Sequence, residues 1–249
     1  MKIIISPSKT QKESINTNNC FLNITKPYFE EIALKINSII SKELNSNPKI
    51  WKELEIKSNP KLELSTKINV NEFPSNKNMA ILKYDGLQFK NIEFEKLNEN
   101  QQNNLNNNLI ILSAYYGCLK PSDEIGNYRL MMNSKINIEN DLDVKTFWKT
   151  KIIDYLKNLD KTILNLASDE YSSYLDRKEL NIIDVFFYIN KNNKLTNLAT
   201  NAKMCRGVLV NLLSNYKEIN LDILKNLEIN GHKFNKELSN KNKLVYVKN

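Results

Sequence analysis

Glycine, arginine and histidine are scarce in this chain of 249 residues, which has five glycines, three arginines and one histidine. Asparagine, lysine and isoleucine are abundant, and this bias indicates drift toward A/T-rich codons. Residues that need G/C-rich codons then persist mainly where a structural or functional demand retains them. The scarce residues in short, chemically dense segments are therefore informative: Gly86, Gly117, Gly126, Gly207, Arg129 and Arg206.

The single histidine excludes a multi-histidine metal site and leaves little room for a Ser-His-Asp or Cys-His mechanism. Acid–base chemistry would fall to Asp, Glu, Lys, Tyr or Cys side chains. His232 itself stands in the sequence Asn-Gly-His-Lys at 230–233, which predicts an exposed turn. We expect neither a bound metal nor a cofactor.

The three cysteines are far apart and form no C-x-x-C pair, which argues against a disulfide framework or a thiolate metal site. No apolar run approaches the roughly 18 residues of a membrane span, and the N-terminal run is too short for a signal peptide. These features predict a soluble protein of the reducing cytoplasm that has no membrane partner.

The charge balance is basic, with a formal net charge of +8 at pH 7 and a sequence pI near 9.1. A basic surface favours an anionic partner such as DNA or a nucleotide, although lysine drift alone gives the same excess. With 41% hydrophobic residues and no Gly/Pro/Ser-rich linker, residues 1–249 predict one large domain. A monomer is favoured.

Periodicity predicts alternating strands and helices. Short apolar runs indicate buried strands at 2–6, 79–83, 109–113 and 162–167. Amphipathic patterns indicate helices at 27–44, 144–159 and 201–216. The remaining predicted elements are a hairpin of 182–189 and 194–198 around the turn 190–193, a final strand at 243–247, and a loop or frayed helix end at 98–108.

This alternation is typical of an α/β (mixed α+β) single domain, with a mixed central sheet surrounded by helices and the hairpin added to it. Ligands of open α/β sheets bind outside the carboxyl ends of the strands. Polar segments that directly follow a predicted strand are therefore the candidates for a site.

Ser6, Lys9 and Thr10 follow the first predicted strand in the sequence SPSKT. An ammonium group and hydroxyls that leave a strand end indicate an anion site. The glycines that let a P-loop wrap a phosphate are absent. A proline turn with self-capping hydroxyls explains the segment equally well.

The segment 112–130 is the densest in chemically active residues. It carries Tyr116, Lys120, Asp123, Tyr128 and Arg129 in a loop that leaves the third predicted strand. Arginine offers a planar fork for phosphate, and tyrosine can stack on a base or donate a proton. The alternative is a structural loop in which Arg129 pairs with Asp123.

The fourth predicted strand ends in NLASDEY at 165–171. Ser168 is placed to cap a helix, and Asp169 and Glu170 in its first turn complement the helix dipole. Structure alone explains all three residues. The functional interpretation makes Asp169 or Glu170 a general base or a divalent-metal ligand facing the cleft.

The third helix carries Lys203, Arg206 and Gly207 on a face without acidic residues. A glycine inside a helix costs about 1 kcal/mol relative to alanine. Gly207 therefore indicates the close approach of a ligand or of another backbone.

Together these motifs resemble, in order and spacing, the YaaA family of bacterial peroxide-stress proteins over nearly the whole chain. The motifs are SPSKT, YDGLQF, LSAYYGCLKPSDEIGNYRLMM, NLASDEY and the helix with Arg206 and Gly207. The matching positions are Ser6, Pro7, Lys9, Thr10, Gly86, Tyr116, Gly117, Pro121, Asp123, Tyr128, Arg129, Asn165, Ala167, Ser168, Asp169, Glu170, Tyr171, Arg206 and Gly207.

The resemblance implies a cytoplasmic single-domain protein that limits iron-dependent damage during peroxide stress and binds DNA through a positively charged cleft. The alternative is an enzyme acting on a nucleotide or another phosphorylated substrate, with Asp123, Asp169 or Glu170 as acid–base groups. The expected residues for binding DNA or a nucleotide-like anion are Ser6, Lys9, Thr10, Tyr116, Lys120, Tyr128, Arg129, Lys203, Arg206 and Gly207.

Overall fold

The structure is a computed structural model that describes residues 1–47, 49–55, 71–192 and 194–249. The strands are β1 (Lys2–Ile5), β2 (Asn78–Met79), β3 (Leu109–Ser113), β4 (Gly117–Leu119), β5 (Glu124–Ile125), β6 (Asn137–Glu139), β7 (Leu142–Asp143), β8 (Thr162–Leu166), β9 (Asn181–Lys191), β10 (Lys194–Thr196), β11 (Lys233–Phe234) and β12 (Lys243–Lys248). The α-helices within these residues are α1 (Glu30–Ser46), α2 (Ile50–Glu53), α3 (Ala80–Lys83), α4 (Leu87–Ile92), α5 (Glu99–Asn108), α6 (Val144–Leu159), α7 (Asp169–Ser172), α8 (Ala199–Leu213) and α9 (Leu221–Asn226).

Eight strands form one mixed sheet in the order β11-β12-β9-β8-β1-β3-β4, with β10 paired to β9. The central strand β1 runs parallel to both β3 and β8. Its residues Ile3, Ile4 and Ile5 are completely buried, as expected for a parallel strand that is covered on both faces. The predicted mixed α/β fold, with helices around a central mixed sheet, is confirmed.

Strand direction decides which loops can meet. The carboxyl ends of β1, β3 and β8 lie at one edge of the sheet because these three neighbours are parallel. In contrast, β4 runs antiparallel to β3 and pairs Gly117 with Ser113 and Leu119 with Ile111. The chain after Leu119 therefore returns toward the opposite edge.

Several predicted elements are found at or close to their predicted bounds. The helix at 144–159 is α6, and the tail strand is β12. The predicted hairpin forms, since β10 pairs antiparallel with β9 from Lys194–Lys191 to Thr196–Ile189. Residue 193 of its turn lies outside the described residues.

The prediction of a strand at 79–83 is wrong. Only Asn78–Met79 is extended, and α3 follows directly with all four of its residues buried. A short, continuous apolar run gives no periodicity that separates a buried strand from a buried helix. The amine of Lys83 is held inside by donating to the carbonyl of Lys12 at 2.8 Å.

The Asn-rich stretch at 98–108 forms a regular helix, α5, after the capping residue Asn98. The side chain of Asn98 accepts the N–H of Gln101, and the side chain of Gln101 accepts the N–H of Asn98. This reciprocal capping box satisfies two backbone donors and stabilises the start of the helix. No helix in the described part of the chain is long and apolar enough to cross a membrane.

The prediction that His232 is an exposed turn residue is also wrong, because its side chain is completely buried. Its Nδ1 lies 3.0 Å from the carbonyl oxygen of Ile229, so Nδ1 carries the proton. Its Nε2 accepts from the amide of Asn201 at 3.1 Å. The turn is present, but the histidine side chain points into the core beside Cys205 and Phe187.

We expect the wild-type protein to lose stability relative to a His232→Gln variant as the pH falls from 7 to 5. Burial lowers the pKa of His232 in the folded state, below the value of about 6.5 in an unfolded chain. Between the two pKa values the unfolded state binds a proton that the folded state does not, so acid favours unfolding. Glutamine retains a donor and an acceptor without titrating. Urea unfolding at both pH values measures the effect, and a pH-independent difference between the two proteins contradicts it.

Candidate functional site

A pocket of about 330 Å³ opens where β1 and β8 end. The loop after β1, the start of α4 and residues 128–131 form three of its walls, and α7 and α8 contribute the rest. We call this cavity the strand-end pocket. The expected site residues that line it are Ser6, Lys9, Thr10, Tyr128, Arg129, Glu170, Lys203 and Arg206.

Two serines join the ends of β1 and β8 at the pocket. The hydroxyl of Ser6 accepts the N–H of Ser168 at 2.8 Å, and the two hydroxyl oxygens lie 3.0 Å apart. Ser168 occupies the predicted N-cap position of α7, but its side chain makes no capping hydrogen bond. One hydroxyl donates to the other, so one proton of the pair has no acceptor among the described residues. The pair therefore offers one donor to a ligand.

The loop after β1 is fixed against the segment before α4. The N–H of Thr10 donates to the hydroxyl of Ser8 at 3.2 Å, and the Thr10 hydroxyl donates to the carbonyl of Asp85. A Cβ atom on Gly86 would stand only 2.6 Å from the Ser8 oxygen. The glycine thus permits the close contact that shapes this wall of the pocket.

Lys9 and Arg129 are already paired within the protein. Lys9 Nζ lies 2.8 Å from Glu55 Oε2, and an Nη atom of Arg129 lies 3.2 Å from the same oxygen. The Nε of Arg129 donates to the carbonyl of Leu54 at 3.0 Å, and its other Nη donates to the carbonyl of Lys9 at 3.1 Å. Burial lowers the pKa of Arg129, and the charge of Glu55 opposes that shift. The alternative that Arg129 pairs with Asp123 is wrong, since the partner is Glu55.

Lys203 and Arg206 stand one turn apart on α8 and have no such partners. Within the described residues, neither side chain forms an ion pair or a hydrogen bond, and Arg206 Nε is buried without an acceptor. Burial lowers the pKa of the Arg206 guanidinium, and the charge of Asp169 opposes the shift. A buried donor left unsatisfied costs about 1–3 kcal/mol. Of the four cations that line the pocket, these two remain available to a ligand.

The two acids of α7 differ in their position. Glu170 lines the pocket, and its Oε1 accepts the N–H of Met132 at 3.2 Å. Asp169 acts on Arg206 through its charge but is not among the residues that line the pocket. Lys9, Arg129 and Arg206 thus line one cleft as expected, whereas Asp169, which was expected to face this cleft, is not part of its lining.

Tyr128 reaches the pocket, whereas Tyr116 does not. The hydroxyl of Tyr128 lies 2.9 Å from Ser113 Oγ and 2.5 Å from the hydroxyl of Tyr84, and burial raises its pKa to about 12. The Tyr116 hydroxyl accepts the backbone N–H of Gly126 at 3.1 Å inside the core. Tyr116 is therefore a core residue, and its expected place in the cleft is wrong.

Lys120 and Asp123 also lie away from the strand-end pocket, which corrects their predicted position. They line a second cavity of about 300 Å³ together with Thr25 and Tyr155. The buried Asp123 accepts the Thr25 hydroxyl and the Lys120 N–H, each at 2.7 Å. Burial raises the pKa of this carboxyl, and those two hydrogen bonds oppose the rise. The cause of the displacement is β4, which carries the chain back to the other edge of the sheet.

Gly207 is explained by a neighbouring backbone. A Cβ atom at this position would stand 2.2 Å from the carbonyl oxygen of Gln88 and 2.7 Å from Asn91 Cβ. Helices α8 and α4 therefore pack so closely that only glycine fits. Of the two interpretations of this residue, the close approach of another backbone is the one found, and Gly207 itself is buried behind the pocket.

Glu55 is the important residue that the sequence did not reveal. It is one of 28 acidic residues and stands in no recognisable motif, so its role in holding Lys9 and Arg129 follows only from the tertiary structure. Within the described residues, no group of three His, Cys, Asp or Glu side chains is placed to hold a metal ion.

The comparisons with known proteins agree on the family to which this chain is similar. A family model described as peroxide stress protein YaaA matches residues 1–238. A UPF0246 protein of Malacoplasma penetrans is 44% identical over 254 residues, covering 100% of this chain and 99% of the relative. UPF0246 proteins of Rickettsia felis and Rickettsia conorii are 35% and 33% identical, over 88% and 100% of this chain and 95% and 100% of the relatives.

Proposed function

This chain belongs to the family of the peroxide stress protein YaaA, and we propose that it limits iron-dependent damage during peroxide stress by binding DNA in the cytoplasm. The contact surface is the strand-end pocket and its rim. Phosphate oxygens of the DNA accept from Lys203 and Arg206, which then gain the partners that the protein does not supply.

The observation that carries the proposal is the unpaired guanidinium of Arg206. A cation that is partly buried, lies at the strand ends and carries a buried Nε without an acceptor among the described residues is suited to an anionic ligand. Lys203 adds a second positive charge one turn away on the same helix. Lys9 and Arg129 contribute through their charge and their positions, because both are already ion-paired with Glu55.

The proposal predicts that DNA affinity falls linearly with salt on a log–log scale. Neutralising two phosphates, one by each free cation, gives a slope of about −2 or steeper. Fluorescence anisotropy with a short duplex between about 50 and 200 mM salt measures it. An affinity that does not change over this range refutes DNA binding through these cations.

The alternative, an enzyme acting on a nucleotide or other phosphorylated substrate, is favoured by Glu170. Its carboxylate shares the pocket with the free cations, where a pure phosphate-binding surface has no use for a negative charge. In the same titration, Glu170→Gln and Asp169→Asn should bind DNA equally or slightly more tightly if the pocket only binds DNA. If a variant keeps its DNA affinity and its stability but no longer allows cells to survive peroxide, the result would instead support catalysis.

A further inference from the structure

We propose that the strand-end pocket binds the phosphomonoester of a single nucleotide unit, with the terminal phosphate on Arg206 and Lys203. The unit is either the 5′-phosphorylated end of a DNA strand or a free nucleotide. This inference rests on the proposed anion-binding role of the pocket and specifies which phosphate enters it.

The size of the pocket favours a nucleotide unit over the body of a duplex. Its volume of about 330 Å³ is at the lower end of the roughly 300–1,000 Å³ of small-molecule sites. A sphere of that volume is only about 9 Å across, too narrow for a duplex whose major groove alone is roughly 12 Å wide. A duplex can rest on the rim, but only a terminal or free unit can enter.

The free donors fit a terminal phosphate. A phosphodiester inside a strand carries one negative charge, whereas a phosphomonoester carries about −1.5 to −2 at pH 7. Lys203 and Arg206 supply two positive charges without competing ion pairs in the described structure, and their side chains lie on one helix face. The Ser6–Ser168 pair adds its one unassigned hydroxyl proton. A guanidinium fork, an ammonium and a hydroxyl can satisfy the three oxygens of a terminal phosphate.

Glu170 indicates that the ligand has a second, hydrogen-bond-donating part. One of its oxygens accepts from Met132, and the other has no hydrogen-bond partner among the described residues. A carboxylate repels phosphate but accepts from the amino group of a base and, in a free nucleotide, also from a sugar hydroxyl. A nucleotide unit carries an anionic end and such donors within one small molecule, and inorganic phosphate does not.

The test compares two otherwise identical DNA hairpins that have an unpaired 5′-terminal nucleotide, one ending in a 5′-phosphate and one in a 5′-hydroxyl, by fluorescence anisotropy at fixed salt. We expect the phosphorylated hairpin to bind the wild-type protein at least tenfold more tightly. In Arg206→Gln the ratio of the two affinities should fall to about one. Lys149→Gln removes an exposed charge on α6, away from the pocket, and should leave the ratio unchanged. Equal affinity of both hairpins for the wild-type protein overturns the DNA-end form of the proposal.

Competition experiments separate the two sources and the size of the ligand. Adenosine 5′-monophosphate should displace the phosphorylated hairpin at a concentration at least tenfold lower than inorganic phosphate or adenosine. Inorganic phosphate that competes as well as the nucleotide overturns the nucleotide-sized site. Calorimetry measures binding of the free nucleotide directly. If the wild-type protein binds the nucleotide, Arg206→Gln does not, and both hairpins bind with equal affinity, the site is assigned to free nucleotides.

Failure of this inference is distinguishable from failure of the proposed function. Salt-dependent binding of both hairpins with equal affinity, without nucleotide binding, retains the DNA function and rejects the nucleotide site. Nucleotide binding without affinity for either hairpin rejects the DNA function and retains the site. If neither hairpin nor nucleotide binds, both proposals fail. Thermal melting of each variant verifies that the protein is folded.

Discussion

Replacing Arg206 with glutamine is expected to weaken DNA binding at least tenfold at about 0.1 M salt and to flatten the salt slope by about one unit. A tenfold loss corresponds to about 1.4 kcal/mol, close to the lower value for a hydrogen bond to a charged group. Since the guanidinium forms no hydrogen bond or ion pair among the described residues, the substitution removes a contact to the ligand and no hydrogen bond or ion pair within the described fold. Anisotropy titrations at several salt concentrations measure both quantities.

Arg129 provides the contrasting variant. Its guanidinium donates to the carbonyls of Leu54 and Lys9 and to the Glu55 carboxylate, so Arg129→Gln should lower the melting temperature more than Arg206→Gln does. Lys149→Gln controls for the loss of one positive charge elsewhere on the surface. DNA affinity that is unchanged in a folded Arg206→Gln protein would show that the strand-end pocket is not the contact surface.

Gly207→Ala is expected to destabilise the protein by about 2 kcal/mol. Alanine gains about 1 kcal/mol of helix propensity, but its Cβ would stand 2.2 Å from the carbonyl oxygen of Gln88. Overpacking of this kind costs about 1–3 kcal/mol, and more where the neighbour is backbone and cannot rotate away. Helices α4 and α8 must separate, which also moves Lys203 and Arg206. Chemical denaturation measures the loss of stability.

Lys203→Ala is the matched control, because it changes an exposed residue of the same helix. Its stability should stay within about 0.5 kcal/mol of the wild type, while its DNA affinity falls. A Gly207→Ala protein as stable as the wild type would contradict the close packing of the two helices.

The strand ends were predictable because the sequence carries local signals for them. Buried apolar runs define β1, β3 and β8, and parallel pairing brings the segments after Ile5 and Leu166 to one edge. The scarcity of arginine in the chain singled out Arg129 and Arg206. These local signals are sufficient to indicate most of the walls of the pocket.

The positions of Lys120 and Asp123 were not predictable in the same way. They stand in the same short segment as Arg129, yet the short antiparallel strand β4 moves them to the opposite edge of the sheet. A reversal that occupies only three residues leaves little periodicity in the sequence. The pairing of Arg129 with Glu55 was likewise invisible, because 74 residues separate the two along the chain.

The roles of the two free cations also required the structure. Lys9 and Lys203 are chemically alike in the sequence, and only the contact of Lys9 with Glu55 separates the paired lysine from the unpaired one. The burial of His232 has the same kind of origin, because its partners Ile229 and Asn201 meet only through the tertiary fold. The sequence indicates which side chains could bind an anion, and the tertiary packing determines which of them have no partner within the described part of the protein.

The most direct measurement follows the Nε–H of Arg206 by NMR as DNA is added to ¹⁵N-labelled protein. The chain has only three arginines, so three such signals are expected, and the Arg206→Gln spectrum identifies the one that belongs to Arg206. Phosphate binding gives this donor its missing acceptor, so its signal should shift and its exchange with water should slow, while the Arg177 signal stays in place. An Arg206 signal that is unchanged when DNA binding is saturated would contradict the account.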